Sequence, residues 1–79
     1  MKDGVFLRHV RDYAKLSQRF RRSYKGVVDQ ILGNYIAALP SEGFDEEQVK
    51  LKTAWAESVV AREYNPVEVQ APAGGERRS

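Results

Sequence analysis

The chain has 79 residues, 42% of them hydrophobic and 30% charged, which is enough for one small domain whose core contributes only a few kcal/mol. It contains no cysteine, which excludes disulfides and thiolate metal sites. The sequence has no apolar run of signal-peptide length and no membrane-spanning stretch, so we expect a cytoplasmic protein or part of an intracellular or viral assembly.

The net charge of +2 conceals an uneven distribution of charge along the chain. Residues 1–25 carry eight Lys and Arg against two Asp, a formal charge of +6, whereas residues 26–63 carry three Lys and Arg against seven acidic residues, a formal charge of −4. A basic half can bind an anionic partner, and it can equally bind an acidic surface of the same fold or of another subunit.

The first predicted element is a helix over residues 3–39, a segment without proline. Ten positions recur there at alternating spacings of four and three residues, and eight of the ten are apolar or aromatic, which predicts one buried helical stripe. The spacing favours a continuous helix, but Gly26 and Gly33 each cost about 1 kcal/mol relative to alanine, so a break near residues 23–26 is the alternative. The ten positions are Phe6, Val10, Tyr13, Ser17, Phe20, Tyr24, Val27, Ile31, Asn34 and Ala38.

The segment PSEGF, residues 40–44, predicts a turn. Pro40 stops the preceding helix, and Gly43 permits a positive φ. Asp45 is a good N-cap, and Gln48, three residues later, completes a capping box. A second helix is therefore expected to begin at this point.

The second helix is expected to span residues 45–64, because Pro66 prevents its continuation. Residues 1–65 are predicted to form a single helical domain, and residues 66–79 an extended or flexible polar tail. In the predicted packing, Trp55 and Val59 face Val27, Ile31 and Tyr35.

The two predicted helices differ in length, at about 55 Å and about 30 Å. In an antiparallel hairpin the shorter helix covers about residues 19–39 of the longer one and leaves residues 3–18 uncovered. The apolar side chains of that overhang would require a protein partner, unless a break folds the segment back into a three-helix bundle. The predicted partner interface consists of Phe6, Leu7, Val10, Tyr13 and Leu16.

A basic stripe lies on the opposite face of the first helix, within an arc of about 80° on a helical wheel. Four of its five cations are Arg, whose planar fork suits phosphate, but a charged stripe is also typical of a solvated helix face or of a surface that binds acidic protein. The aromatic residues Phe6, Tyr13, Phe20 and Tyr24 are interpreted as core or interface residues rather than base-stacking groups, and Trp55 is interpreted as a core anchor. The candidate anion or nucleic-acid contacts are Arg8, Arg11, Lys15, Arg19 and Arg22.

No catalytic, cofactor-binding or metal-binding residue is predicted. His9 is the only histidine and has no cluster of Cys, Asp or Glu beside it in the sequence. A DNA-reading helix-turn-helix is disfavoured, because the helix after the PSEGF turn begins with acidic residues. We expect no cofactor, no membrane partner and no small-molecule substrate.

The sequence therefore predicts an all-α, non-enzymatic interaction protein. We expect an assembly or adaptor subunit of a larger complex that binds a protein partner or associates with itself. The alternative is a small nucleic-acid-binding protein that contacts phosphates through its basic N-terminal helix.

Overall fold

The computed structural model describes residues 1–65, and these form three helices and no strand. The all-α prediction is confirmed. The predicted tail, residues 66–79, lies outside the described residues. The elements in chain order are α1 (Asp3–Phe20), α2 (Lys25–Ala38), a 3-10 turn (Pro40–Glu42) and α3 (Glu46–Glu63).

The favoured continuous first helix is wrong, because the chain breaks between α1 and α2. Arg21 adopts a left-handed backbone conformation with a φ of 54°, and its N–H donates to the carbonyl of Ser17. The N–H of Tyr24, which precedes α2, donates to the phenolic oxygen of Tyr64 at 2.6 Å. This bond joins residues 40 positions apart, so helical spacing does not reveal it, and the structure adopts the alternative with a break.

The predicted turn and the start of the last helix are confirmed. Gly43 has a φ of 96°, a conformation that favours glycine. Asp45 accepts a hydrogen bond from the backbone N–H of Gln48 at 2.9 Å, and the Gln48 side chain accepts one from the N–H of Asp45 at 3.3 Å. This reciprocal capping box fixes the start of α3.

The helices run up, down and up again. Phe6 near the start of α1 packs on Tyr35 near the end of α2, with ring centroids 4.7 Å apart, and the hydrogen bond between residues 24 and 64 joins the start of α2 to the end of α3. Both neighbouring pairs are therefore antiparallel. Asp3 pairs with Lys52 while residues 11 and 63 also pair, so α1 and α3 are parallel.

The core lies where the three helices meet. Trp55 contacts Tyr35, with ring centroids 6.0 Å apart, which agrees with the predicted packing of α3 on α2. Val27 does not share that contact surface as predicted, because it is 40% exposed and lines a groove between α1 and α2. The buried hydrophobic side chains are Phe6, Val10, Val28, Tyr35, Leu39, Ala56, Val59 and Tyr64.

Candidate interaction surface

The predicted partner interface on α1 is mostly covered by the chain itself. Phe6 and Val10 are completely buried, and Leu7 and Tyr13 are half-buried and pack against the core. The break after α1 removes the uncovered overhang, because α2 and α3 fold over its apolar side. Four of the five predicted interface residues therefore hold the domain together, and only Leu16 lies at the outer surface, in a groove.

The predicted basic stripe remains exposed along α1. Arg8, Arg11, Lys15 and Arg19 are exposed, and all four lie within the helix. Arg22 lies beyond the end of α1, so helical spacing no longer places it on the same stripe. Its guanidinium instead lies 5.6 Å from the ring centroid of Tyr24.

Arg11 is the stripe cation that forms an ion pair within residues 1–65. Arg11 makes two hydrogen bonds to the carboxylate of Glu63, each 3.2 Å long, and so connects α1 to the end of α3. The hydrogen bonds from Arg11 are the largest cause of the lowered pKa of Glu63, and the hydrogen bond from Arg62 is the next. The Glu63 carboxylate in turn raises the pKa of Arg11. Since both side chains are near the surface, this ion pair fixes the orientation of α1 relative to α3 more than it stabilises the fold.

Two other cations of the stripe line a small groove on the outer face of α1. Asp12, Lys15, Leu16 and Arg19 line it. Within residues 1–65, Asp12 and Lys15 form no ion pair, and Leu16 is half-buried. The groove therefore combines two cations, one carboxylate and one apolar side chain. We call these four residues the α1 groove.

A second groove lies on the first turns of α3, where Glu46, Glu47, Lys50 and Leu51 line it. We call these four residues the α3 groove. Leu51 is 66% exposed, the most exposed large hydrophobic side chain among the described residues. This exposure agrees with the geometry of α3: at 100° per residue, Leu51 lies about 110° from the mean direction of the buried Ala56 and Val59.

The connection between α1 and α2 exposes an aromatic ring among cations. Phe20 is 54% exposed, so its assignment to the core is wrong, whereas its assignment to an interface with a partner stays a prediction. The guanidinium of Arg19 lies 5.4 Å from the Phe20 centroid, and the exposed Arg21 and Arg22 follow directly. We call residues 19–24 the corner.

Within residues 1–65, His9 lies outside the α1 groove and the α3 groove. His9 is exposed and lines the groove between α1 and α2 with neutral neighbours such as Tyr13 and Gln30. That part of the chain holds no group of three or more His, Asp or Glu side chains placed to hold a metal ion. None of its helices has the length and apolar character needed to cross a membrane.

Comparison with known proteins assigns neither a family nor a function to this chain. No protein-family model, curated protein or solved structure matches this chain. The function of the chain therefore has to be inferred from its own residues.

Proposed function

We propose that this protein is a non-enzymatic assembly or adaptor subunit that docks on protein, including other copies of itself, through the outward face of α1. The observation that carries the proposal is the α1 groove, in which the exposed cations Lys15 and Arg19 adjoin the apolar side chain of Leu16. Contact surfaces between proteins combine apolar contact with charge pairing in this way.

The composition of the α1 groove favours an acidic protein surface over a phosphate backbone. Asp12 lies among the cations and would repel phosphate, while it can accept a hydrogen bond from a partner's Lys or Arg. Leu16 gains by burial against an apolar side chain, which a sugar-phosphate chain does not provide. Arg8, one turn before Asp12, extends the positive charge of the same face.

The experiment is a sedimentation-equilibrium mass measurement of the purified chain over a range of protein concentrations, at low and at moderate salt. We expect the mean mass to rise with concentration and less steeply at higher salt, because exposed charges are screened. Lys15→Glu should lower the mass at a given concentration. Lys2→Glu is the matched control, since it changes the net charge equally at an exposed position outside the α1 groove.

A protein that stays monomeric at every concentration would contradict self-association. Equal effects of Lys15→Glu and Lys2→Glu would mean that net charge matters, and not the outward face of α1. The helical circular-dichroism signal should be unchanged in both variants, because both residues are exposed.

A second candidate function is supported by the corner. The Phe20 ring is exposed, the guanidinium of Arg19 lies over it, and the exposed Arg21 and Arg22 follow in the sequence. Surfaces that stack a base and contact its phosphates combine an exposed ring with cations in this way. Fluorescence anisotropy with a single-stranded oligonucleotide tests this candidate. If the corner binds nucleic acid, Phe20→Ala should weaken binding by about 5-fold to 150-fold, and affinity should fall steeply with salt.

A further inference from the structure

We propose that the α1 groove of one copy binds the α3 groove of a second copy, with the two helices antiparallel. The inference rests on the proposed function and names the partner of the same surface. It follows from the charges of the two grooves, from their spacing and from the direction of the helices.

The two grooves are complementary in composition. The α1 groove has two cations, one carboxylate and Leu16, and the α3 groove has two carboxylates, one cation and Leu51. In each groove, therefore, two charges share one sign, the third charge has the opposite sign, and the fourth side chain is apolar. The minority charges, Asp12 and Lys50, are complementary to each other as well.

The spacing of the charges selects one orientation. Asp12 and Lys15 are three residues apart, as are Glu47 and Lys50, so each pair spans about 4.5 Å of helix axis. When the helices are antiparallel, Asp12 lies opposite Lys50 and Lys15 opposite Glu47, which makes two attractive pairs. When they are parallel, the same register places Asp12 against Glu47 and Lys15 against Lys50, two repulsive pairs.

The leucines fit the antiparallel orientation. On helical wheels of the two facing helices, Leu16 and Leu51 lie on the same side of the paired charges. Side chains on a helix lean towards its N-terminus, so in antiparallel helices these two lean towards each other. The most exposed apolar side chain of the described residues thereby gains an apolar neighbour.

The contact cannot form within one chain. There α1 and α3 run parallel, and α1 directs Arg11 towards Glu63 of α3. The mean direction of the α1 groove lies about 90° away from Arg11 around the helix. A second copy is therefore required. Because α1 and α3 of one chain point the same way, antiparallel docking allows the reciprocal contact that a twofold dimer needs.

The test is a charge swap between two variants, followed by sedimentation equilibrium. Lys15→Glu makes the α1 groove repel the α3 groove, and Glu47→Lys does the same from the other side. We expect each variant alone to associate about 10-fold or more weakly than the unmodified chain. An equimolar mixture should recover association, because Glu at 15 then faces Lys at 47 in the other variant. Glu57→Lys is the control for Glu47→Lys, since Glu57 is exposed on α3 outside the groove.

The outcomes separate this inference from the function on which it rests. If the unmodified chain associates and Lys15→Glu weakens it, but the mixture recovers nothing, the α3 groove is not the partner and only this inference fails. Equal weakening by Glu57→Lys and Glu47→Lys would overturn it too. If the unmodified chain is monomeric throughout, the proposed self-association fails as well.

Discussion

The two ends of the helical bundle differ in how they use aromatic side chains. At one end, which we call the closed end, the rings of Phe6, Tyr35 and Trp55 pack with centroids 4.7 to 6.0 Å apart. The Tyr35 hydroxyl there donates a hydrogen bond to Asp3 at 2.6 Å. Burial is the larger cause of the raised pKa of Tyr35, and this hydrogen bond is the next. At the other end, the corner exposes Phe20 beneath a guanidinium.

From this difference we infer that the residues that stabilise the fold are separate from the residues that we propose bind a partner. Rings at the closed end are covered by all three helices, so their removal exposes the core. The ring of Phe20 and the charged side chains of the α1 groove contribute little burial, so their replacement should leave the fold intact. Substitutions can therefore test the two roles independently.

The largest expected effect is at the closed end. Phe6→Ala should lower the free energy of unfolding by about 3 to 5 kcal/mol, because it removes a completely buried ring and leaves a cavity. Phe20→Ala at the corner is the matched comparison and should cost less than about 1 kcal/mol. Urea denaturation followed by circular dichroism measures both. Similar losses at the two positions would refute the division between the ends.

The next effect concerns the bond that closes the corner against α3. Tyr64→Phe removes the oxygen that accepts the N–H of Tyr24, and it should cost about 1 to 3 kcal/mol because that donor is partly buried. Tyr13→Phe serves as the control, since it also removes a phenolic hydroxyl from a ring that packs on the core. We expect amide hydrogen exchange to accelerate at the start of α2 in Tyr64→Phe only. Unchanged exchange there would mean that the bond does not hold the break in place.

A smaller effect is the response of the closed end to acid. The hydrogen bond from Tyr35, aided by Lys52, lowers the pKa of Asp3 below its ordinary value of 3.8. The stabilisation from the ionised carboxylate is therefore present above the unfolded pKa and is lost as pH falls through the lower folded pKa. Because Asp3 is about half exposed, we expect less than about 1 kcal/mol.

Tyr35→Phe should raise the pKa of Asp3 towards 3.8, which carboxyl NMR chemical shifts during a pH titration can follow. The Tyr13→Phe variant should leave that titration unchanged. An Asp3 pKa that is identical in Tyr35→Phe and the unmodified chain would show that the Tyr35 hydroxyl does not stabilise the carboxylate.

The smallest effect is expected at the left-handed residue of the corner. Arg21→Gly should stabilise the fold by about 0.5 to 1 kcal/mol, because glycine adopts a φ of 54° without the steric cost that arginine bears. Thermal unfolding measures the gain. A clear loss of stability would mean that the Arg21 side chain makes a contribution larger than its backbone strain.

Local signals in the sequence predicted the last helix well. The capping box of Asp45 and Gln48 and the positive φ of Gly43 depend on residues within a few positions of each other, and the structure has all of them. The break after α1 was only the less favoured alternative, because a distant residue, Tyr64, holds it and no proline marks it. The predicted interface followed from that preference, since a continuous first helix leaves Phe6 and Val10 uncovered, whereas the break buries both.

Some exposed side chains could be predicted from the sequence and others could not, because only some depend on helical spacing alone. The exposed Lys15 and Arg19 follow from helical spacing, which the structure preserves within α1. The exposure of Phe20 depends on where α1 ends, and the exposure of Leu51 depends on which side of α3 meets the other two helices. Helical spacing alone determines neither.

The most direct test of the central claim is chemical cross-linking between copies. The sequence has no cysteine, so Leu16→Cys and Leu51→Cys each introduce a single thiol. The two variants, one of them isotopically labelled, are mixed and treated with a short thiol-to-thiol cross-linker, and the products are weighed by mass spectrometry. If the α1 groove binds the α3 groove of a second copy, the mixed product should greatly exceed either product of one variant with itself. Products in random proportions, or none, would contradict the claim.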